Sequence, residues 1–277
     1  MLLGAREMRR MCYYTTMFNL TSVQTFATQL AHQAGQLLTQ AYHAQEAAQA
    51  SRRASPKAMK LIEDTTMDQW LIQYIQQQYP DHHIITEESG AVNPMSDTVW
   101  IIDPIDGSVN FSTHNPFVAI SLAVMHQNEL VLGVVEAPLL GEQFVARRGQ
   151  GATVNGQLVH VSATAQLSQA YLVSCDGGIT DRTQVFSTTI RNYYDQVTDF
   201  RKLGSAALEC AWVASGRADA YITMAIDPWD VAAGVLLIQE AGGIVTTFEG
   251  RDWEPKQLDI VCSNGLLHHA VMERLWG

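Results

Sequence analysis

The sequence predicts an α/β protein in which β-sheets are layered between helices. Three observations carry this prediction: residues 21–78 show helical periodicity, residues 83–165 are rich in strand signals, and strands alternate with helices beyond residue 166. We find no internal repeat and no low-complexity linker, so we expect one compact unit with two halves. These halves are residues 17–165 and 166–277, and residues 1–16 are expected to be a loose extension.

Two helices are predicted at the start of the chain. In the first, residues 21–42, apolar side chains such as Leu30 and Leu38 recur at helical spacing. A polar connection is expected over residues 43–56. The second helix covers residues 63–78, and a proline follows two residues later.

Strands dominate the middle of the chain. Two apolar runs each end in acidic residues, two more flank a polar turn in the manner of a hairpin, and Asn155-Gly156 is a typical hairpin turn. The expected strands are residues 83–86, 98–102, 117–125, 130–137 and 144–148.

In the second half, the sequence predicts strands that alternate with helices. Its expected strands are residues 171–175 and 218–224, and two short strands precede the last helix. Its expected helices are residues 181–194, 205–215, 229–241 and 266–276.

Composition narrows the function classes. The chain has 277 residues and a net charge of −11, and its densest basic clusters are only pairs of residues, so we expect no nucleic-acid partner. Four widely spaced cysteines form no CxxC pair, which disfavours a zinc or dithiol site. No apolar run approaches the roughly 18–20 residues of a membrane helix, and the first residues lack signal-peptide order, so we expect a cytoplasmic protein without a membrane partner.

The most informative segment is Asp-Pro-Ile-Asp-Gly-Ser-Val-Asn-Phe, which begins at Asp103 directly after an apolar strand. Asp103, Asp106 and the carbonyl between them can converge on one point, and these hard oxygen donors suit Mg²⁺ or Mn²⁺. Gly107 allows close backbone approach, and its N–H and that of Ser108 can bind an anion if a helical turn begins there. An ordinary turn is the alternative, because Asp-Pro and Asp-Gly are both turn signals.

Four further acidic residues accompany this segment. Glu87 and Glu88 end the preceding strand, and Asp230 begins a helix of small apolar residues. Asp64 lies near the start of the second predicted helix. Taken singly, Asp64 and Asp230 are most simply helix caps, and the two glutamates are a solvated loop.

Taken together in this order, the segments resemble the inositol monophosphatase family, a sugar-phosphatase superfamily member. The resemblance covers nearly the whole chain from about Leu20 and implies a layered α-β-α-β-α fold, a homodimer and Mg²⁺-dependent hydrolysis of a phosphate monoester, with two or three ions and Mn²⁺ as an alternative ion. It implies that the metals are held by Glu87, Asp103, the Ile105 carbonyl, Asp106 and Asp230. It implies that the attacking water is oriented by Asp64, Glu87 and Ser108. It implies that the substrate is bound by Ile105, Gly107, Ser108, Gly204, Ser205, Ala206, Thr223 and Asp230.

Thr223 departs from the family pattern, because inositol-specific members resemble one another in placing a glutamate there that binds ring hydroxyls. We therefore expect a phosphatase acting by direct water attack on a small phosphorylated metabolite, with inositol 1-phosphate a mediocre substrate. Fructose-1,6-bisphosphatase-, 3′-phosphoadenosine phosphatase- and histidinol-phosphatase-like activities are alternatives, as is a non-catalytic relative that binds a metal or ligand.

Overall fold

The computed structural model describes residues 18–50, 56–175 and 191–275, with side chains described for residues 18–44, 65–175 and 191–275. The predicted extension (residues 1–16) and most of the predicted helix 181–194 lie outside these ranges. Within the described residues, no helix has an apolar stretch long enough to cross a bilayer.

The first half consists of two long helices and an eight-stranded sheet. Its helices are α1 (Leu20–Ala50), α2 (Pro56–Gln78) and the short α3 (Ser108–Ser112). Its strands are β1 (His83–Thr86), β2 (Gly90–Val92), β3 (Thr98–Asp106), β4 (Ala119–His126), β5 (Glu129–Ala137), β6 (Glu142–Arg147), β7 (Ala152–Val154) and β8 (Gln157–Val159). The strand order is β2-β1-β3-β4-β5-β6-β7-β8, and only β1 and β3 pair in parallel.

The second half contributes a five-stranded sheet and three described helices. Its strands are β9 (Tyr171–Val173), β10 (Asp199–Arg201), β11 (Ala220–Met224), β12 (Ile244–Thr246) and β13 (Asp259–Ser263), in the order β10-β9-β11-β13-β12. Its helices are α4 (Ala206–Ala214), α5 (Pro228–Glu240) and α6 (His268–Arg274).

The elements form five layers, α-β-α-β-α, as expected. Leu30 and Leu71 of α1 and α2 pack on one face of the first sheet. The buried faces of α4 and α5, which include Leu208 and Leu236, fill the space between the two sheets. Val271 of α6 covers the outer face of the second sheet. Every layer therefore buries apolar surface against a neighbour, which confirms the predicted fold class.

Several element boundaries differ from the prediction. Helix α1 continues through residues 43–50, which we expected to be a connection, and α2 begins at Pro56 rather than near residue 63. Proline fits the first turn of a helix because that N–H has no helical partner. Two short strands, β2 and β10, have no clear sequence signal because each has only three residues.

Candidate metal centre

Strand β3 carries the first two acidic residues of the site to its carboxyl end. Asp103 pairs with Ser121 of β4, whereas Asp106 pairs with Ala119, so β3 holds one extra residue over this interval. In a regular strand, side chains three positions apart point to opposite faces. The extra residue forms a bulge, which allows both carboxylates to turn to the same side.

Asp230 joins these two carboxylates from the second half of the chain. It lies in the first turn of α5, and its Oδ2 accepts a hydrogen bond from the Asp227 N–H at 3.1 Å. One carboxylate oxygen from each of Asp103, Asp106 and Asp230 lies within 4.8 Å of the other two. Three elements distant in sequence thus converge on one acidic cluster.

Ionisation of all three carboxyl groups in this cluster is energetically unfavourable. Burial, with mutual repulsion among the carboxylates, raises the pKa of Asp103 well above its usual value. The same causes raise the pKa of Asp230 to about 8, and burial raises that of Asp106 to about 6. All the hydrogen bonds described for these carboxylates come from neutral donors, mostly backbone N–H groups. None of these hydrogen-bond donors carries a positive charge, and a bound cation would supply the charge that the carboxylates lack. The three residues therefore fit a divalent metal ion.

Asp106 is tied to the start of α4. Its Oδ2 accepts hydrogen bonds from the Ser205 hydroxyl at 2.5 Å and from the Ala207 N–H at 2.7 Å, and its Oδ1 accepts one from the Ala206 N–H at 3.2 Å. Ser205 is the N-cap of α4. The helix therefore presents its free N–H groups to a carboxylate, which fixes the orientation of Asp106.

Gly107 makes the turn from β3 into α3. Its φ is +90°, a conformation that residues with a side chain rarely adopt, and a Cβ here would meet the Phe117 carbonyl oxygen at 2.9 Å. Ser108 follows as the first residue of α3. The predicted helical turn after the acidic pair is therefore present.

These groups line a cavity of about 480 Å³. Most of the residues that the resemblance implied meet there, namely Glu87, Asp103, Ile105, Asp106, Gly107, Ser108, Gly204, Ala206 and Asp230. Glu87 is exposed at the end of β1, in contrast to the buried Asp103 and Asp106.

Three predicted residues have a different placement. Ser205 is fully buried beneath the cavity and acts on it through Asp106. Thr223 is also buried, and its hydroxyl donates to the Cys175 carbonyl at 2.8 Å; it is not among the described residues that line the cavity. The side chain of Asp64 lies outside the described residues, although its backbone belongs to α2.

The cavity also contains residues that sequence reasoning missed. Asn110 donates to the carbonyls of Phe117 and Leu203 at 2.8 and 2.7 Å, which ties α3 to the loop before α4. Asn110 stands inside the conspicuous Asp103 segment, so a signal was present without an assigned role. Other missed lining residues are Val109, Cys175, Lys202, Leu203, Ile226, Asp227 and Trp229.

Comparisons with known proteins agree with the geometry. A model described as the inositol monophosphatase family matches residues 19–277. A relative from Thermotoga maritima named fructose-1,6-bisphosphatase/inositol-1-monophosphatase is 39% identical over 210 residues, which are 76% of this chain and 79% of that protein. Nus factor SuhB of Escherichia coli is 38% identical over 229 residues, covering 81% of this chain and 84% of that protein. Among solved structures, an inositol monophosphatase from Anabaena (Nostoc) is similar with a TM-score of 0.83 and 30% identity, covering 94% of this chain and 97% of that one.

Proposed function

The chain belongs to the inositol monophosphatase family, and from this premise we propose that it is a Mg²⁺-dependent hydrolase of small phosphate monoesters. Family membership and the similar proteins support phosphatase activity in general. The observation that carries the specific proposal is the cluster of Asp103, Asp106 and Asp230 within a cavity of about 480 Å³. An acidic site repels a phosphate dianion, so its carboxylates need bound cations before such a substrate can enter.

We propose that Asp103, Asp106, Asp230, Glu87 and the Ile105 carbonyl hold two or three Mg²⁺ ions. When bound, the ions polarise the phosphoryl group, lower the pKa of a water molecule and stabilise the leaving oxygen. Mn²⁺ offers the same preference for oxygen ligands.

The remaining assignments concern water and substrate. Asp64, Glu87 and Ser108 orient the attacking water, since a carboxylate next to the water can accept its proton and a hydroxyl can hold the water by a hydrogen bond. Backbone N–H groups of Gly107 and Ser108 bind the phosphate, and Ile105, Asp230, Gly204 and Ala206 complete the substrate side. The buried Ser205 and Thr223 support that side from behind the residues that line the cavity. The cytoplasmic location and the homodimeric state also belong to this proposal.

A substrate panel tests the proposal. We expect the purified chain to release phosphate from inositol 1-phosphate or another small ester with Mg²⁺, and to lose this activity in EDTA. The Asp103→Asn variant, purified in the same way, controls for contaminating phosphatases. Activity that disappears in the variant but persists in EDTA contradicts the Mg²⁺ dependence, and no activity on any ester above the level of the variant supports a non-catalytic relative.

Fructose 1,6-bisphosphate is the second candidate substrate. The Thermotoga relative carries that activity in its name, and Thr223 has no carboxylate with which to bind ring hydroxyls. A higher kcat/KM for fructose 1,6-bisphosphate than for inositol 1-phosphate would favour this candidate. 3′-Phosphoadenosine 5′-phosphate and histidinol phosphate complete the panel.

A further inference from the structure

The loop that leads into α4 is held from both sides. Glu209 of α4 accepts hydrogen bonds on its Oε1 from the N–H groups of Leu203, at 2.7 Å, and Gly204, at 3.2 Å. On the other side of the same residue, the Leu203 carbonyl accepts the hydrogen bond from the Asn110 side chain at 2.7 Å. The loop is thus held between α4 and α3.

Burial of Glu209 at this position is energetically unfavourable. Its side chain is completely buried, and the other residues of α4 are apolar. Its Oε2 has no hydrogen-bond partner among the described residues, and burial raises the pKa of its carboxyl. Burial of a polar group with an unsatisfied atom lowers stability. A role in overall stability therefore does not explain the carboxyl, whereas its two bonds to the loop do.

The clamped loop reaches the metal centre directly. Gly204 is followed by Ser205, Ala206 and Ala207, which supply all three hydrogen bonds to Asp106. The Gly204 carbonyl oxygen also lies 3.2 Å from the point that a Cβ on Gly107 would occupy, so the two turns are packed closely. A shift of the loop would move the donors of Asp106.

We propose that Glu209 is a positioning residue, which holds the Leu203-Gly204 loop so that Asp106 keeps its orientation toward a divalent cation. This inference rests on the proposed function, since it treats Asp106 as a metal ligand. The required property of Glu209 is its hydrogen-bond acceptor; its negative charge is not needed for the contacts with Leu203 and Gly204.

Two substitutions separate these properties. Glu209→Leu keeps the volume and removes the acceptor, and we expect it to weaken Mg²⁺ binding about tenfold. This is the lower end of the loss typical when a direct partner of a metal ligand is removed, because Glu209 acts through the loop that carries those partners. Glu209→Gln keeps an acceptor, and we expect it to restore binding to within about threefold of the original chain. Isothermal titration calorimetry with Mg²⁺ and Mn²⁺ measures binding without turnover, and the Mg²⁺ concentration for half-maximal hydrolysis provides a second readout.

Val213→Ala is the matched control. Val213 is fully buried on the same helix, and truncation removes apolar packing without touching the loop. We expect it to lower the Tm while leaving Mg²⁺ affinity unchanged. If Val213→Ala weakens Mg²⁺ binding as much as Glu209→Leu does, general destabilisation explains the effect and the proposal is wrong.

Further results also test the positioning role of Glu209. Normal Mg²⁺ binding by Glu209→Leu, or equal losses in the leucine and glutamine variants, overturns the positioning role. If Glu209→Leu does not fold, Asn110→Ala frees the Leu203 carbonyl instead, and unchanged Mg²⁺ binding in that variant contradicts the proposal. An original chain that binds no divalent cation refutes this inference and the proposed function, whereas one that binds Mg²⁺ but hydrolyses no ester refutes the proposed function alone.

Discussion

At the scale of single residues, the acidic cluster links metal binding to proton release. The pKa of Asp230 is raised to about 8 by burial and by neighbouring carboxylates, so this carboxyl is largely protonated below that pH in the metal-free chain. A cation binds to the ionised form and must displace the proton. We therefore expect the apparent Mg²⁺ affinity to rise as pH rises, by about tenfold per pH unit while one proton is displaced.

The raised pKa of Asp230 also makes the stability of the metal-free chain fall as pH rises. The folded chain retains the proton of this carboxyl up to about pH 8, whereas the unfolded chain releases it near the ordinary value of 3.8, so the folded state binds more protons between these values. We expect the Tm in EDTA to fall from pH 5 to pH 8 and Mg²⁺ to offset the fall at the higher pH. Asp230→Asn should flatten the profile in EDTA. An equally steep profile in that variant would assign the proton elsewhere.

Substitution of Thr223 tests whether this buried residue contacts the substrate. Thr223→Val removes the hydroxyl that donates to the Cys175 carbonyl while keeping a β-branched shape in β11. We expect a loss of about 0.5–1.5 kcal/mol in the free energy of unfolding, because the carbonyl of the half-buried Cys175 loses its shorter hydrogen bond and keeps the one from the Ser174 hydroxyl at 3.3 Å. The KM for each phosphate ester should change less than twofold (about 0.4 kcal/mol at most). Urea unfolding and steady-state kinetics measure the two effects, and a KM raised tenfold would place Thr223 in contact with the substrate.

At the scale of elements, the close approach of α4 and α5 joins the two parts of the metal centre. Gly234 of α5 faces Cys210 of α4, and a Cβ on Gly234 would lie 2.3 Å from the Cys210 Cβ. Gly234→Ala must separate the helices, and we expect it to destabilise the fold by about 1–3 kcal/mol. Since α5 carries Asp230 and α4 orients Asp106, Mg²⁺ affinity should fall as well.

Gly141→Ala controls for the added methyl group. Gly141 has a φ of +68° with nothing within 4 Å of an added Cβ, so its substitution introduces backbone strain outside α4, α5 and the lining of the acidic cavity. We expect it to lower the Tm without changing Mg²⁺ binding by calorimetry. Equal effects of the two substitutions on Mg²⁺ binding would show that helix separation is not the cause.

The elements also show what sequence patterns can predict. Apolar periodicity located α4, α5 and the β4–β5 hairpin because packing decides those positions. It missed the last turns of α1, because residues 43–50 show no apolar period in the sequence. The spacing of Asp103 and Asp106 indicated a site, but only the pairing of β3 with β4 reveals the bulge that brings both to one side.

At the scale of the whole molecule, the metal centre depends on both halves of the chain. Asp103 and Asp106 come from the first half, while Asp230 and the three donors to the Asp106 carboxylate found among the described residues come from the second. The order of motifs was enough to predict the family and the layered fold, which are both confirmed. The hydrogen bonds from the Leu203-Gly204 loop to Glu209 could not be predicted, because the donors are backbone N–H groups that no residue pattern reveals.

The shared core predicts how the chain unfolds. One continuous apolar cluster includes Ile101 and Phe144 of the first sheet, Tyr221 and Ile260 of the second, and helices α4 and α5 between them. Separating the halves at the expected boundary near residue 165 would expose this cluster and the acidic site together. We therefore expect a single cooperative transition, with the calorimetric enthalpy equal to the van't Hoff enthalpy. Differential scanning calorimetry in EDTA and in Mg²⁺ measures both, and Mg²⁺ should raise the whole transition because its proposed ligands come from both halves. Two resolved transitions, of which Mg²⁺ moves only one, would show that the halves fold as separate domains and that the site belongs to one of them.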